Sequence, residues 1–202
     1  MAAIIPTKGN LIARKRSLQL AEMGFELMDR KRNILIREMM GMIDRAAEIQ
    51  GQIAETFGEA YKALQTANIT LGVIDAIAST VPVDDSLVIH YRSIMGVEIP
   101  TIPDQSEMMK MPYGFHDTNS ALDEAFVKFQ KVKTLCRTLA EVETTIYRLA
   151  FAIKKTQKRA NALENIIIPN FTGDVKFITE ALEEKDREEF ARLKVIKAQK
   201  AK

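Results

Sequence analysis

The C-terminal half of the chain contains an apolar seam that repeats every seven residues. With position a of a heptad placed on Val132, apolar side chains fill nearly every a and d position as far as Pro169. A seam two residues wide with a period of 3.5 is typical of a helix that lies along one partner helix. The stretch therefore predicts one arm of a long coiled coil, because a helix in a compact core needs a wider apolar face. The later a positions hold Leu139, Ile146, Ile153, Ala160 and Ile167, and the d positions hold Leu135, Val142, Leu149, Thr156 and Leu163.

The N-terminal part of the chain carries a matching seam. With a on Leu11, thirteen of sixteen a and d positions are apolar. No proline interrupts residues 7–81, and either Thr7 or Asn10 is placed to cap the start of the helix. Glycine and β-branched residues cluster at 68–72, where a break in the helix is expected. The three polar seam positions are Arg14, Arg32 and Thr56.

A short β-hairpin is predicted between the two arms, from Ser86 to Ile102. Strand-forming residues precede a turn at 93–96, and positions 97–102 alternate with period two. Pro100 has no amide hydrogen and is therefore expected at an edge. The following residues, 103–114, contain three methionines and begin and nearly end with a proline, so an irregular loop is predicted there.

The second arm has its own start and interruption signals. Ser120 and Asp123 are spaced like a capping box at its beginning. Pro169 removes one backbone donor and predicts a kink rather than a stop, because an apolar stripe resumes beyond it in a shifted phase. That stripe consists of Phe171, Val175, Ile178, Leu182, Phe190, Leu193 and Ile196.

These patterns predict an all-α fold, a long antiparallel two-helix coiled-coil hairpin with a small β-hairpin in the middle connecting segment. It is expected to form a single elongated domain, with an N-terminal arm at 7–81, a middle segment at 82–117 and a C-terminal arm at 118–200. A parallel homodimer would satisfy the same heptads, but two matched arms within one chain favour pairing inside the chain.

Composition and charge argue against catalysis by this chain. It has two histidines without metal-ligand spacing, a single cysteine (Cys136) next to the seam, and no phosphate-cradling glycine loop, so no catalytic, metal or cofactor site is predicted.

The charges are unevenly distributed along the chain. Residues 1–32 and 151–202 each carry a net charge of +4, while the remainder carries −6. A solvated face is the plainer interpretation of these charges. If the ends meet, a basic tip is formed by Arg14, Lys15, Arg16, Lys194, Lys197 and Lys200.

Several motifs resemble those of the D subunit of the V/A-type rotary ATPases, a family of central-stalk rotor subunits. The likeness extends over nearly the whole chain. Its most specific parts are Ala140–Glu143 and then Lys155–Pro169, within which the run from Asn161 to Pro169 is a specific signature. The motifs are Pro6-Thr7 before the first helix, the run 112–123 that leads into the second arm, Ala140–Glu143, Lys155–Pro169 and Glu188–Lys194.

The resemblance implies a non-catalytic shaft inside a hexamer of nucleotide-binding subunits A and B, which bind the ATP. It also implies a small F subunit on the stalk, a funnel-shaped C/d subunit over the membrane ring, and a cytoplasmic location peripheral to the membrane. Neither nucleic-acid binding nor membrane insertion is expected. The alternative is a prefoldin-like coiled-coil chaperone or adaptor. The residues proposed to contact partners are Arg14, Lys15, Arg16, Lys155, Lys158, Arg159, Asn161, Glu164, Lys194 and Lys197.

Overall fold

A computed structural model describes residues 5–85, 87–103, 111–114, 116 and 118–200 of the chain. The chain divides into two compact units. We call residues 34–152 the middle unit, and we call the residues up to 33 together with those from 153 onward the terminal unit. The predicted class, a helical coiled-coil hairpin with a small two-stranded sheet, is confirmed. The elements are α1 (Lys8–Leu71), α2 (Asp75–Ala78), β1 (His90–Ile94), β2 (Val97–Thr101), α3 (Ser120–Ala162), a π-helical turn (Leu163–Ile167) and α4 (Ile168–Lys200).

The two predicted seams meet in the middle unit. Ala46 and Ile49 of α1 are buried against Val142 of α3, with half-buried apolar neighbours around them. Further along α1, the ring of Tyr61 meets that of Phe129 edge-on, with 5.6 Å between the ring centroids. The contact in α3 thus moves towards its N-terminus as α1 advances, so the helices are antiparallel. Each fully buried apolar side chain contributes about 1.5–3 kcal/mol before conformational entropy is subtracted.

Helix α1 begins and ends where its sequence predicts. The Oγ1 of Thr7 accepts a hydrogen bond from the amide of Asn10 at 3.2 Å, so Thr7 is the cap. The Asn10 side chain instead donates to the carbonyl of Ile5 at 2.8 Å. The helix ends at Leu71, and Gly72 has a φ of +80°. This left-handed conformation is common just past a helix end and suits glycine, which confirms the expected break.

The start of α3 differs from the predicted capping box. The Oδ1 of Asn119, not the side chain of Ser120, accepts the amide hydrogen bond of Leu122 at 3.0 Å. The carboxylate of Asp123 accepts a hydrogen bond from the Tyr113 hydroxyl at 2.8 Å. Tyr113 is buried, and its burial, followed by the hydrogen bond and charge of Asp123, raises the pKa of its phenol. Asp123 is therefore engaged in packing the loop before α3 rather than in closing a capping box.

The hairpin forms in the predicted place with a tighter turn. His90–Ile94 pairs antiparallel with Val97–Thr101, so Met95 and Gly96 alone make the turn. Both have positive φ, 50° and 75° respectively, as a type I′ turn requires. The predicted strand start at Ser86 and the centre of the predicted loop, residues 104–110, lie outside the described residues.

The terminal unit contains an irregularity that the heptads did not predict. In the π-helical turn Leu163–Ile167, the amide of Ile168 donates to the carbonyl of Leu163, five residues earlier. Such a turn accommodates one extra residue. The seam therefore resumes one residue late, and Ile178 is fully buried. The placement of Ile167 in the seam was wrong, since its side chain is 36% exposed while that of Ile168 is half-buried.

The π-helical turn also explains how the helix passes Pro169. A proline inside an α-helix lacks the amide donor and its ring clashes with the carbonyl four residues earlier, here that of Asn165. Widening the preceding turn relieves this clash. The chain is accordingly helical on both sides of Pro169, as the prediction that it does not stop the helix requires.

Candidate partner-contact surfaces

The candidate functional sites among the described residues are surfaces formed by exposed side chains. Within them, no group of three or more His, Cys, Asp or Glu is placed to hold a metal ion. No described helix is both long and apolar enough to cross a membrane. His90, His116 and Cys136 are all exposed. The candidate contact sites are therefore exposed charges and exposed apolar side chains.

The three basic residues near the N-terminus do not share one role. Arg14 lies in the seam of the terminal unit, where its Nη1 is 3.6 Å from the Oδ2 of Asp174. Its guanidinium carbon also lies 5.6 Å from the ring centroid of Phe171, in a cation–π contact. Lys15 and Arg16 are exposed. Of the three cations, these last two are the ones whose side chains are available to a partner.

The second half of the predicted basic tip lies far from the first. Asp174 is level with Arg14, and Lys194 follows Asp174 by twenty residues of continuous helix. At 1.5 Å per residue this separation is about 30 Å along α4. Every side chain from 183 to 200, including those of Lys194 and Lys197, is exposed. The structure therefore gives two basic surfaces on the terminal unit rather than one tip.

Part of the motif Lys155–Pro169 in the second arm is held by hydrogen bonds within the terminal unit. Arg32, the charged residue in the first seam, donates to the Oε1 of Gln157 at 2.8 Å. The Nε2 of Gln157 donates in turn to the Oδ1 of Asn161 at 2.6 Å. This polar chain satisfies Arg32 within the coiled coil, and it orients Asn161.

The other residues proposed as partner contacts in this region are Lys155, Lys158, Arg159 and Glu164. All four are exposed. Asn161 is exposed as well, although its side-chain oxygen accepts the bond from Gln157. The structure thus places these five residues on the exposed surface of consecutive turns. Of the five, Asn161 also accepts a hydrogen bond within the chain, from Gln157.

The sequence patterns did not reveal an apolar face on α1 in the middle unit. Ile36, Met40 and Ile43 are exposed by 37%, 54% and 41%. They are spaced four and three residues apart and so share one face of the helix. The face ends at Tyr61, which is 53% exposed. An apolar period lying off the seam was the signal that could have revealed it. Between Ile43 and Tyr61 the face continues through four small exposed residues, Ala47, Gly51, Ala54 and Gly58.

Packing among the described residues does not require glycine at either of the two glycine positions on this face. A methyl group added at Gly51 or at Gly58 would meet nothing within 4 Å among the described residues. On α3, Tyr147 and Phe151 are also exposed, by 74% and 65%, one helical turn apart. Small side chains permit close approach of a neighbouring helix, and large apolar side chains provide area to bury.

The fold and these surfaces define a paired-helix coiled coil that displays charged and apolar contact surfaces, a class of protein suited to assembly with partners. Residues 10–198 match the family model for the ATP synthase D subunit. The chain is 43% identical over 202 residues to the V-type ATP synthase D subunit of Thermotoga neapolitana, covering 99% of this chain and all of the relative. It is 40% identical to the A-type ATP synthase D subunit of Pyrococcus furiosus, with 96% and 92% coverage. The corresponding protein of Methanopyrus kandleri is 37% identical, with 95% and 84% coverage.

The chain belongs to the family of ATP synthase D subunits. This confirms the resemblance drawn from the sequence motifs, and it favours the rotary-ATPase assignment over the prefoldin-like alternative. The assignment also agrees with a chain that is itself not catalytic.

Proposed function

We propose that the chain is the central rotor shaft of a V/A-type ATP synthase or ATPase. In this role it couples ATP synthesis or hydrolysis in a catalytic hexamer to proton or sodium translocation through a membrane ring. The observation that carries the proposal is the family match over residues 10–198, which spans both seams and the hairpin between them. The shaft is cytoplasmic and peripheral to the membrane.

A paired helix is mechanically suited to this role. The cross-section of two packed helices has no threefold axis, whereas a ring of three catalytic sites has one. Each site in the ring therefore meets a different side of the shaft at any moment. Contacts that differ between sites hold the sites in different states, and the coupling between shaft angle and nucleotide occupancy is reciprocal.

The surfaces described above supply distinct contacts for distinct partners. The terminal unit carries the exposed cations proposed above as partner contacts, and we assign it to subunits A and B of the hexameric head. The apolar face of α1 in the middle unit, from Ile36 to Tyr61, suits a helix of the small F subunit of the stalk. The funnel-shaped C/d subunit over the membrane ring is the remaining partner.

The experiment that tests the shaft is charge reversal at the exposed basic pair, Lys15→Glu with Arg16→Glu, in the assembled and membrane-reconstituted complex. Arg14 is left intact because it holds Asp174 inside the terminal unit. We expect ATP-driven ion pumping to fall relative to ATP hydrolysis, since weakened contacts let the ring turn over without driving the shaft.

A matched control reverses two exposed lysines of the middle unit, Lys62→Glu with Lys131→Glu. It introduces the same change in net charge away from the terminal unit. If the Lys15 and Arg16 variant pumps as many ions per ATP as the wild type, the assignment of the terminal unit to subunits A and B is overturned. Failure of the tagged chain to copurify with two large nucleotide-binding subunits would overturn the shaft itself.

A further inference from the structure

The two long edges of the β-hairpin differ in how their outward backbone groups are satisfied. Ile94 and Val97 flank a two-residue turn and pair directly. In an antiparallel ladder, hydrogen-bonded pairs alternate with pairs whose amides and carbonyls point away from the partner strand. The outward groups on β1 therefore belong to Tyr91 and Ser93. Those on β2 and its continuation belong to Glu98, Pro100 and Ile102.

The β2 edge is closed by this chain itself. The carbonyl of Glu98 accepts a hydrogen bond from Arg148 of α3 at 3.0 Å. Pro100 has no amide hydrogen to offer. The amide of Ile102 donates to the Oε2 of Glu141, also on α3, at 3.0 Å. A further strand cannot pair along this edge without displacing α3.

The β1 edge is open by comparison. Residues 90–93 are exposed, and no hydrogen bond from a described residue reaches the outward amides and carbonyls of Tyr91 and Ser93. Leu87, Val88 and Ile89 lead into the strand with side chains 46%, 48% and 46% exposed. An exposed, apolar strand edge invites pairing with another chain, and natural proteins ordinarily block such edges.

We infer that β1 is a docking edge for a β-strand of another subunit, which extends the hairpin into a three-stranded sheet. Backbone hydrogen bonds to Tyr91 and Ser93 would supply the pairing. The inference rests on the proposed function only for the source of the strand, a second subunit of the rotary complex.

The side chains of β1 specify the chemistry of the incoming strand. Arg92 is the one fully charged residue between positions 87 and 94, and it is exposed. An incoming strand that places Asp or Glu opposite Arg92 gains an opposite-charge cross-strand pair. Apolar residues of the incoming strand would cover Val88 on the face of Arg92 and Ile89 on the opposite face. On that opposite face, the guanidinium carbon of Arg148 already lies 5.4 Å from the ring centroid of Tyr91.

A second copy of this chain fits the edge poorly. In antiparallel pairing of β1 with its own copy, reciprocal bonding of Tyr91 to Ser93 centres the pairing on Arg92. The two Arg92 side chains would then lie directly opposite each other, an unfavourable like-charge pair. The charge pattern thus favours a different, acidic strand over self-association.

The test compares amide hydrogen exchange in the isolated full-length chain and in the complex purified through a tag on that chain. In the isolated chain, the amides of His90, Arg92 and Ile94 are bonded within the hairpin and should be protected, whereas those of Tyr91 and Ser93 should exchange freely. In the complex, exchange at Tyr91 and Ser93 should slow by at least about tenfold. Unchanged exchange at both in an otherwise intact complex would overturn the docking edge.

A proline substitution provides a second, independent test. Ser93→Pro removes an outward amide hydrogen while the ladder bonds of its neighbours Arg92 and Ile94 remain, and Ser93→Ala is the matched control that keeps the amide. Affinity for the partner subunits should fall about tenfold in the proline variant and stay unchanged in the alanine variant. Equal affinity for both variants would contradict the inference.

The outcomes separate this inference from the proposed function. Loss of the nucleotide-binding subunits from the purified wild-type complex counts against the shaft. Recovery of those subunits with free exchange at Tyr91 and Ser93 counts against the docking edge alone. Protection that grows with concentration in the isolated chain would assign the edge to a second copy and overturn the heterologous strand.

Discussion

Deleting one residue from the π-helical turn is the most direct test of how the terminal unit keeps its seam. Asn165 lies in the turn and is exposed. Without it, Ile168 follows Leu163 at a spacing of four, the normal step from d to a, and the heptads run on uninterrupted. The buried side chain of Ile178 keeps its place. Deletion is thus expected to convert the turn to α-helix while preserving the seam.

The cost of that deletion should come from Pro169. In a regular α-helix the proline clashes with the carbonyl four residues earlier, which costs about 3 kcal/mol. The deletion alone should therefore lower the free energy of unfolding by about 3 kcal/mol. Adding Pro169→Ala should restore it to within about 1 kcal/mol of wild type, because alanine has neither the clash nor the missing donor.

Inserting an alanine after Asn165 should be far more damaging than deletion. It rotates everything beyond the turn by about 100° and takes Ile178 out of the seam. Loss of one buried aliphatic side chain costs about 2–5 kcal/mol, and the other seam residues of α4 move with it. Denaturant unfolding followed by circular dichroism measures each variant, and amide exchange at 168–182 reports the seam directly.

Pro169→Ala alone distinguishes the two causes of the turn. If the seam demands the extra residue, the single variant keeps the turn, and its exchange pattern at 168–182 matches wild type. A loss of protection there, like that of the insertion, would show that the proline alone imposes the turn. A deletion with Pro169→Ala as unstable as the insertion would refute the phase argument itself.

Three further perturbations probe the middle unit. Met95→Asn should stabilise the hairpin by about 0.5–1 kcal/mol, since asparagine tolerates the positive φ of this turn position, as slower amide exchange in the two strands would show. The raised pKa of Tyr113 means that the folded state favours the neutral phenol. Its contribution to the free energy of unfolding is present below pH 10 and is lost as the pH rises further. The Tyr113→Phe variant should therefore show a smaller decline in the free energy of unfolding at alkaline pH. Leu149→Ala, at a fully buried seam position, should cost about 2–5 kcal/mol in denaturant titrations. Its control, Phe151→Ala, at a side chain 65% exposed, should stay within about 0.5 kcal/mol of wild type.

The period of the apolar residues was sufficient to predict the helix pairing, because a helix buried on one side shows an apolar repeat in its sequence within a few turns. The same holds for the hairpin, whose strands alternate and whose turn contains Gly96. The cap at Asn119 was not predicted, since Ser120 and Asp123 make an equally good local pattern. The choice between Asn119 and Ser120 as the cap depends on a tertiary contact. The hydroxyl of Tyr113 donates a hydrogen bond to the Asp123 carboxylate, which is therefore not used in a capping box with Ser120.

The phase error at Ile167 has a different origin. Heptad analysis assumes a constant number of residues per turn, and the π-helical turn changes that number once. The sequence does contain the shift, because the stripe from Phe171 to Leu182 is displaced by one residue relative to the earlier d and a series. A kink and a one-residue insertion produce the same displaced stripe, and only the backbone hydrogen bond from Ile168 to Leu163 tells them apart.

The contact surfaces were harder to predict than the fold because heptads identify only the residues that face the partner helix within the chain. Arg14 illustrates the difficulty for charge: its position among three consecutive cations predicted an outward role, yet Asp174, 160 residues later in the sequence, holds it in the seam. Met40 illustrates the difficulty for apolar surface: it lies off the seam and stays exposed in the isolated chain. An off-seam apolar face that the described residues leave exposed, with glycines that their packing does not require, is best explained by a second protein. In such a coiled coil, the off-seam residues are therefore the part of the sequence that indicates where partner proteins bind.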